Sequence, residues 1–587
     1  MIERWESEDP NDPRLARSAT GLLASFNREG VLTAADVHVA TRAAALAGES
    51  RDEVRLAVAL AVRAVRHGSV CVDLSTLPET EETLPWPDPA GWLKAVADSP
   101  LAAQSVVQVA DGLLYLDRYH REEGQVRDDL LSRLASPRPV ADEPLLEATA
   151  ARLFPGEGYA EQRAAALAAA RQSTTVLTGG PGTGKTTTVA GLLALLTEQS
   201  ETPLRVALTA PTGKAAARLQ EAVEGAQRAP QFTAEDRSRL EGLTASTLHR
   251  LLGWRPGSST RFKHHRTNRL PHDVIVVDET SMVSLTMMAR LLEAVRPEAR
   301  LILVGDPDQL ASVEAGAVLS DLVAGLSVRS PEAVAELRTT HRFGGAIGAL
   351  AAALRDGDDG ADAALDVLRS GDPAVELVDP EDEARMAEVE RDLITHAAAL
   401  HEAGLAGDAE CSVRMLDESR LLCAHRDGPW GVAHWNRLVE RGLAETTGEP
   451  LGAGWGHEWY PGRPVLVTAN DYGLGLFNGD TGVTYRDAAG DLRVAIAGGG
   501  AYAPSRLGDI ETLHAMTVHK SQGSQARSVT VLLPPGDSPL LTRELFYTAV
   551  TRAQERVRVV GTEEAVAAAV THRAQRASGL RQRLGHD

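Results

Sequence analysis

An α/β fold built on parallel sheets is what this sequence predicts, and three observations predict it. The first is Gly179-Gly180-Pro181-Gly182-Thr183-Gly184-Lys185-Thr186, a G-x-x-x-x-G-K-T run. It lies between a β-prone segment, Ser173 to Leu177, and an apolar helical pattern, Val189 to Leu196. The second is the alternation of strand-like and helix-like segments over residues 150–332. The third is the β-branched run Val274-Ile275-Val276-Val277 stopping at Asp278-Glu279, since an open α/β sheet puts its ligand site at the C-terminal ends of its strands. Together they imply nucleoside triphosphate binding. Glycines let backbone N–H groups converge on phosphate oxygens, and the following helix N-terminus adds partial positive charge. In such a loop Lys185 reaches the β/γ-phosphates and the Thr186 hydroxyl ligates Mg²⁺. A glycine-rich turn with a surface lysine is the competing interpretation, and the flanking strand and helix tell against it.

The 587 residues are too many for one core and imply about three or four domains. A net charge of −21 argues against indiscriminate nucleic-acid coating but leaves room for a local basic channel. No apolar run approaches the ~20 residues of a membrane span. The acidic start, Met1 to Glu8, lacks a secretion signal, and Cys71, Cys411 and Cys423 lack metal-ligand spacing. The cytoplasm is therefore the expected compartment. Of only five lysines, Lys185, Lys214 and Lys520 fall in the motifs described below.

Taken in order, residues 1–125 read as helical. Glu53 to Val65 has apolar residues at helical spacing, and a second helix is expected around Leu113 to Tyr119. Nothing there suggests catalysis, so packing or docking is the expectation. Residues 126–149, with the Pro- and acid-containing stretch Ser136 to Pro144, read as a linker. Gln162 lies on a helix ahead of the phosphate loop and alone would be a polar surface residue. A strand from Leu204 to Leu208 runs into Thr209-Ala210-Pro211-Thr212-Gly213-Lys214, a second strand–loop–helix junction with a cation at its tip. Asp278 is placed to hold Mg²⁺ and Glu279 to polarise the attacking water. The strand Leu301 to Val304 leads to Gln309, within reach of a γ-phosphate. Arg342 and Arg552 could be salt-bridged surface groups, or could stabilise phosphoryl-transfer charge from a second domain; spacing alone does not choose. Arg255 to Arg269 holds Arg255, Arg261, Lys263, Arg266 and Arg269 with no acid, a basic patch in an acidic chain. Residues 344–410 read as helices with exposed loops, and 455–515 as strand- and glycine-rich.

The motifs form an ordered series: Gln162, the phosphate loop, Ala210-Pro211-Thr212-Gly213-Lys214-Ala215-Ala216, and Val276-Val277-Asp278-Glu279-Thr280-Ser281-Met282. Val304-Gly305-Asp306-Pro307-Asp308-Gln309-Leu310, Thr340-His341-Arg342-Phe343, His514 to Gln525 and Tyr547-Thr548-Ala549-Val550-Thr551-Arg552-Ala553 complete it. The series resembles that of superfamily 1 helicases, and specifically the RecD family. Asn470 to Gly482 and Tyr115 to Glu122 share the resemblance, which covers nearly the whole chain.

This resemblance implies two RecA-like P-loop motor domains, residues 150–332 and residues 333–454 with 516–587. It adds a helical N-terminal partner-docking domain, an SH3-like β-barrel insertion at 455–515, and a β-hairpin insertion at about 255–270 near the DNA fork. The implied activity is ATP-dependent 5′→3′ DNA unwinding in a RecBCD-type complex for double-strand-break processing and recombinational repair. RecB-like and RecC-like subunits would be partners, single-stranded and forked DNA the substrates, and any nuclease would lie in a partner. Gln162 would read adenine, Gly179 to Gly184 with Lys185, Thr186 and Thr187 would cradle the phosphates, and Thr186 and Asp278 would hold Mg²⁺. Glu279 would be the base, Gln309 the coupling residue, and Arg342 and Arg552 the arginine fingers. Thr212, Lys214, Thr247, His249, Thr517 and His519 would line the DNA track, with Lys263 and Arg266 in the hairpin. Two alternatives stand beside this: a stand-alone RecD-like 5′→3′ helicase, and a structural subunit whose site only senses nucleotide. Intact Glu279, Arg342 and Arg552 speak against the second.

Overall fold

The computed structural model describes residues 4–6, 9–80, 83–136, 140–255, 261–340, 345–357, 360–452, 458–471, 473–536 and 538–585. The N-terminal region packs the helices Gly21–Arg28, Ala34–Ala47, Asp52–Arg66 and Pro89–Ala97 around a core containing Phe26, Leu56 and Trp92. It is not purely helical. Strands β1 (Cys71–Val72), β2 (Val107–Ala110) and β3 (Leu113–Leu116) form an antiparallel sheet in the order β1-β3-β2. Leu113 to Leu116 is thus a strand where the sequence predicted a helix, and the helix begins only at Asp117. The cause is the Asp111-Gly112 pair: both residues have positive φ, 53° and 78°, the geometry of a two-residue hairpin turn joining β2 to β3.

The next six strands make an all-parallel sheet. They are β4 (Thr174–Gly179), β5 (Val206–Ala210), β6 (Ala245–Thr247), β7 (Val274–Val277), β8 (Arg300–Gly305) and β9 (Val334–Leu337), in the order β6-β5-β7-β8-β4-β9. The inner strands β7 and β8, buried on both faces, read as near-continuous apolar runs. The twofold strand period then divides them between two cores. Ile275, Val277, Leu301 and Leu303 face one, and Val274, Val276, Ile302 and Val304 the other.

The first of these cores recruits residues from outside 150–332. Val126 and Leu130 of the helix Asp117–Leu134 are buried in it, so much of the expected linker is helix and part of it belongs to the first sheet's core. Leu580 and Leu584, one helical turn apart, enter the same core from the C-terminal tail, and Val70 N donates to Ala577 O at 2.9 Å. The tail therefore leaves the second sheet and returns to the first, unlike the expected assignment of 516–587 wholly to the second motor domain.

The remaining strands are β10 (Val375–Val378), β11 (Ser419–Cys423), β12 (Pro464–Val467), β13 (Thr481–Arg486), β14 (Leu492–Ile496), β15 (Ala501–Tyr502), β16 (Ile510–Thr512), β17 (Ala515–Thr517), β18 (Ala526–Leu532) and β19 (Ala553–Val560). A second all-parallel sheet has the order β10-β19-β18-β11-β17. Between β11 and β17 the chain makes the antiparallel sheet β15-β14-β13-β12-β16, with its own small core of Val465, Val467, Val494 and Ile496. No helix among the described residues is long and apolar enough to cross a membrane.

Candidate active site

The loop after β4 carries the candidate phosphate-binding residues. Gly184 has φ +87°, and a Cβ there would approach Gln162 Nε2 to 3.2 Å. A Cβ on Gly179 would come within 2.6 Å of both the Leu337 carbonyl and Thr183 Oγ1. Both positions therefore demand glycine. Thr183 Oγ1 donates to Gly180 O at 2.9 Å, and Gln162, buried, donates from Nε2 to Thr183 O at 3.0 Å. The adenine-reading candidate is thus built into the loop's own support. Lys185 Nζ donates to the carbonyls of Gly179 at 2.5 Å and Gly180 at 2.9 Å, while Thr186 and Thr187 sit half-buried in the first turn of the helix Lys185–Glu198.

The other strand ends of the first sheet converge on this loop. Asp278 follows β7; burial, reinforced by Glu279, pushes its carboxyl up to about 7, with Lys185 acting in the opposite direction. Such a carboxyl is short of positive charge, which is the electrostatic condition for holding a cation. The Glu279 backbone N–H donates to Asp278 Oδ1 at 2.9 Å, and Glu279 itself holds φ +50°, ψ +43°, a strained setting for a non-glycine residue. After β8, Asp306 Oδ2 accepts from Gln309 Nε2 at 3.0 Å and from Tyr547 Oη at 3.0 Å.

Tyr547 belongs to the second sheet's helix Arg543–Val550, and just beyond that helix Arg552 Nη2 donates to Gln309 Oε1 at 3.1 Å. Arg552 is 4% exposed and also donates from Nε to Thr548 O at 3.0 Å. Leu310 is gripped from the same side, its N–H donating to Thr548 Oγ1 at 2.8 Å and its carbonyl accepting from Gln522 Nε2 at 2.7 Å. Gln309 and Arg552, 243 residues apart in sequence, thus meet in one hydrogen-bonded network. Arg342 lies outside the described residues. The chain leading to it is pinned beside Gln162, where Glu161 accepts from the backbone N–H groups of Arg338 at 2.8 Å and Thr339 at 3.0 Å.

The candidate DNA-track residues sit at neighbouring strand ends. Thr212 and Thr247 cap their helices, accepting from Ala215 N and Arg250 N, both at 3.2 Å. Lys214 lies in the cleft between the two units; burial, then Arg420 and Arg218, push its ammonium down to about 7. Phe477 of the antiparallel unit lies against the same junction, its Cβ 3.1 Å from where a Gly213 Cβ would be. His249 packs its ring 5.9 Å from that of Phe262, and burial lowers its pKa. Thr517 ends β17 and accepts from Lys520 N at 3.3 Å; His519, in the turn after it, is lowered by burial and then by Arg576.

Of the expected hairpin, residues 256–260 lie outside the described residues, and the two candidate residues beyond them differ. Lys263 is exposed, whereas Arg266 makes a two-pronged ion pair with Asp129 at 3.0 and 2.8 Å. Arg266 therefore ties its segment to the helix Asp117–Leu134 through Asp129. Sequence reasoning gave no role to Tyr547 or Asp306, although both lie inside quoted motifs. It also passed over Phe477, one of the few aromatics, within a stretch already singled out.

Family profiles match three parts of the chain: residues 28–114 the RecBCD enzyme subunit RecD, N-terminal domain; residues 162–315 an AAA domain; and residues 512–560 a UvrD-like helicase C-terminal domain. The chain is 60% identical over 585 residues to the RecBCD enzyme subunit RecD of Mycobacterium tuberculosis strain H37Rv, covering 98% of each. It is 61% identical over 561 residues to the protein of that name from Mycolicibacterium smegmatis, covering 94% of this chain and 98% of that one. The ATP-dependent RecD2 DNA helicase of Deinococcus radiodurans is 32% identical over 497 residues, 83% of this chain and 61% of that protein. Among solved structures, the Pif1 helicase from Bacteroides in complex with ADP-AlF3 and ssDNA aligns with TM-score 0.36 and 17% identity, over 67% of this chain and 90% of that chain.

Proposed function

Because the chain belongs to the RecD family and is an ATP-dependent DNA helicase, we propose that it is the 5′→3′ motor of a cytoplasmic RecBCD-type heterotrimer. Its partners are RecB-like and RecC-like subunits, and its task is unwinding broken DNA ends for recombinational repair. The observation that carries this reading is the Gln309–Arg552 hydrogen bond at 3.1 Å. It joins the loop after β8 to the turn before β19, so a change at the nucleotide would shift the two units together.

The residues fit ATP with Mg²⁺. Thr186 and Asp278 would hold the ion, which when bound supplies charge neutralisation at the β/γ-phosphates. Lys185 then leaves the Gly179 and Gly180 carbonyls for the phosphates, and Glu279 accepts a proton from the attacking water. Arg552 turns from Gln309 toward charge developing on the γ-phosphoryl, and Gln309 reports the change through Asp306 and Tyr547. Arg342 is assigned the companion finger role. At the DNA face, a strand phosphate beside Lys214 would restore the ammonium charge that burial suppresses, giving the track its grip without base readout. Thr212, Thr247, His249, Thr517 and His519 complete the track, Lys263 meets the fork, and the five-stranded antiparallel unit is the SH3-like insertion between the halves of the second RecA-like domain.

The N-terminal region is the docking element, and Val39 and Leu46, 50% and 70% exposed on the helix Ala34–Ala47, are residues through which it would bind. The experiment is strand displacement by the full chain, alone and with both partners, on 5′-tailed and 3′-tailed duplexes, beside co-purification of Val39→Asp/Leu46→Asp. Unwinding confined to 5′ tails and loss of the complex in the variant are expected. Equal use of both tails would overturn the polarity, and full assembly of the variant would move the docking surface elsewhere.

A further inference from the structure

Arg355 closes the helix Ala346–Arg355, which packs against the helix Arg543–Val550 of the second unit. Its guanidinium nevertheless overhangs the first unit's phosphate loop. A Cβ built on Gly180 would lie 3.0 Å from Tyr547 Oη and 3.6 Å from Arg355 Nη1. Gly180 is also where the Lys185 ammonium docks, through a carbonyl 2.9 Å away. Arg355 therefore faces the end of the loop where the terminal phosphates are held.

Arg355 Nε is shut off from solvent with no hydrogen-bond partner among the described residues. A guanidinium held this way is costly unless an anion compensates it. The nearby acid is Asp308, whose carboxyl burial and then Asp306 push up to about 6, while Arg355 and Arg573 draw it down and Glu544 raises it. That carboxyl faces Arg355 without a hydrogen bond joining the two. A planar guanidinium fork above a phosphate loop suits a phosphate better than a lone acid.

We propose that Arg355 is a phosphate-contacting residue of the ATPase site: when the cleft closes on ATP it donates to the terminal phosphates, making the site sensitive to whether a γ-phosphate is present. The inference rests on the ATPase reading above. It differs from a structural account in which Arg355 only balances Asp308.

The test uses the full chain with DNA-stimulated ATPase, equilibrium binding of a fluorescent non-hydrolysable ATP analogue and of fluorescent ADP, and thermal unfolding. Arg355→Ala should lower kcat on the order of 10²-fold, the usual effect of deleting one charge-stabilising donor. It should also erase the preference for the ATP analogue over ADP without moving the unfolding temperature. Arg355→Lys should recover part of both, because it restores the charge but not the fork. Unchanged kcat and unchanged preference in Arg355→Ala would overturn the proposal. So would recovery of both in Arg355→Ala/Asp308→Asn, which would reveal a structural ion balance. A wild-type chain that fails to hydrolyse ATP would count against the ATPase reading, and the binding preference would still decide the role of Arg355.

Discussion

The two parallel sheets share more than their pairing, and the contrast lies in what their loops carry. In both, residues along each strand alternate between two cores: Ile275 and Val276 in the first, Leu421 and Leu422 in the second. Yet the phosphate loop, Asp278, Glu279 and Gln309 all follow strands of the first sheet. The second contributes side chains from helices lying across the cleft, Tyr547 and Arg355, and from the turn at Arg552. Equivalent scaffolds thus carry different candidate residues, because chemistry resides in loops and helix ends rather than in the sheet. Loss of a phosphate-loop residue of the first sheet should nearly abolish hydrolysis, and loss of a residue from the second should slow it and weaken its coupling to movement.

The largest effect should come from Lys185→Ala. Loss of the ammonium at the transferring phosphate should cut DNA-stimulated ATPase on the order of 10³-fold, read by phosphate release. Glu279→Gln should follow, slowing turnover about 10²-fold or more while the ATP analogue still binds, because only the proton acceptor is lost. Near-normal turnover in that variant would remove Glu279 from its role.

The hairpin separates a fork contact from a packing contact. Lys263→Ala should slow duplex unwinding while single-strand ATPase stays near wild type. Arg266→Ala should leave unwinding unchanged and lower the unfolding temperature by only a few degrees, since a half-exposed ion pair is worth about 1 kcal/mol or less. The reverse pattern would return Arg266 to the DNA.

A further effect concerns the seam where the C-terminal tail returns to the first sheet. Asp321 is pushed from 3.8 up to about 7, chiefly by burial, with Ser578 lowering it and Glu123 raising it. The unfolded chain therefore releases this proton before the folded one, and stability falls as pH rises between those values. Asp321→Asn should raise the unfolding temperature at pH 8 and give no gain near pH 4. An equal gain at both would exclude titration as the cause.

Much of the first sheet was legible because parallel strands buried on both faces announce themselves as unbroken apolar runs: β7 is Val274–Val277, as the sequence reads. The phosphate loop was legible because glycine spacing is a backbone requirement. Contacts that depend on two distant segments meeting were not. Nothing around Arg355, the last residue of an alanine-rich helix, announces Gly180, and nothing around Arg266 announces Asp129. The strand β3 could have been read from Asp111-Gly112, but its Leu113-Leu114-Tyr115-Leu116 run suits either secondary structure. The tail's return was hidden because an i, i+4 leucine pair specifies an apolar stripe and not the surface that covers it.

The measurement that tests the division of labour most directly is a double-mutant cycle on Gln309→Ala and Arg552→Ala, reading kcat of DNA-stimulated ATPase and base pairs unwound per ATP. If the 3.1 Å bond couples the two units, each single variant should lose both quantities and the double variant should be little worse than either. Strictly multiplicative losses, or unwinding per ATP unchanged in both single variants, would contradict it.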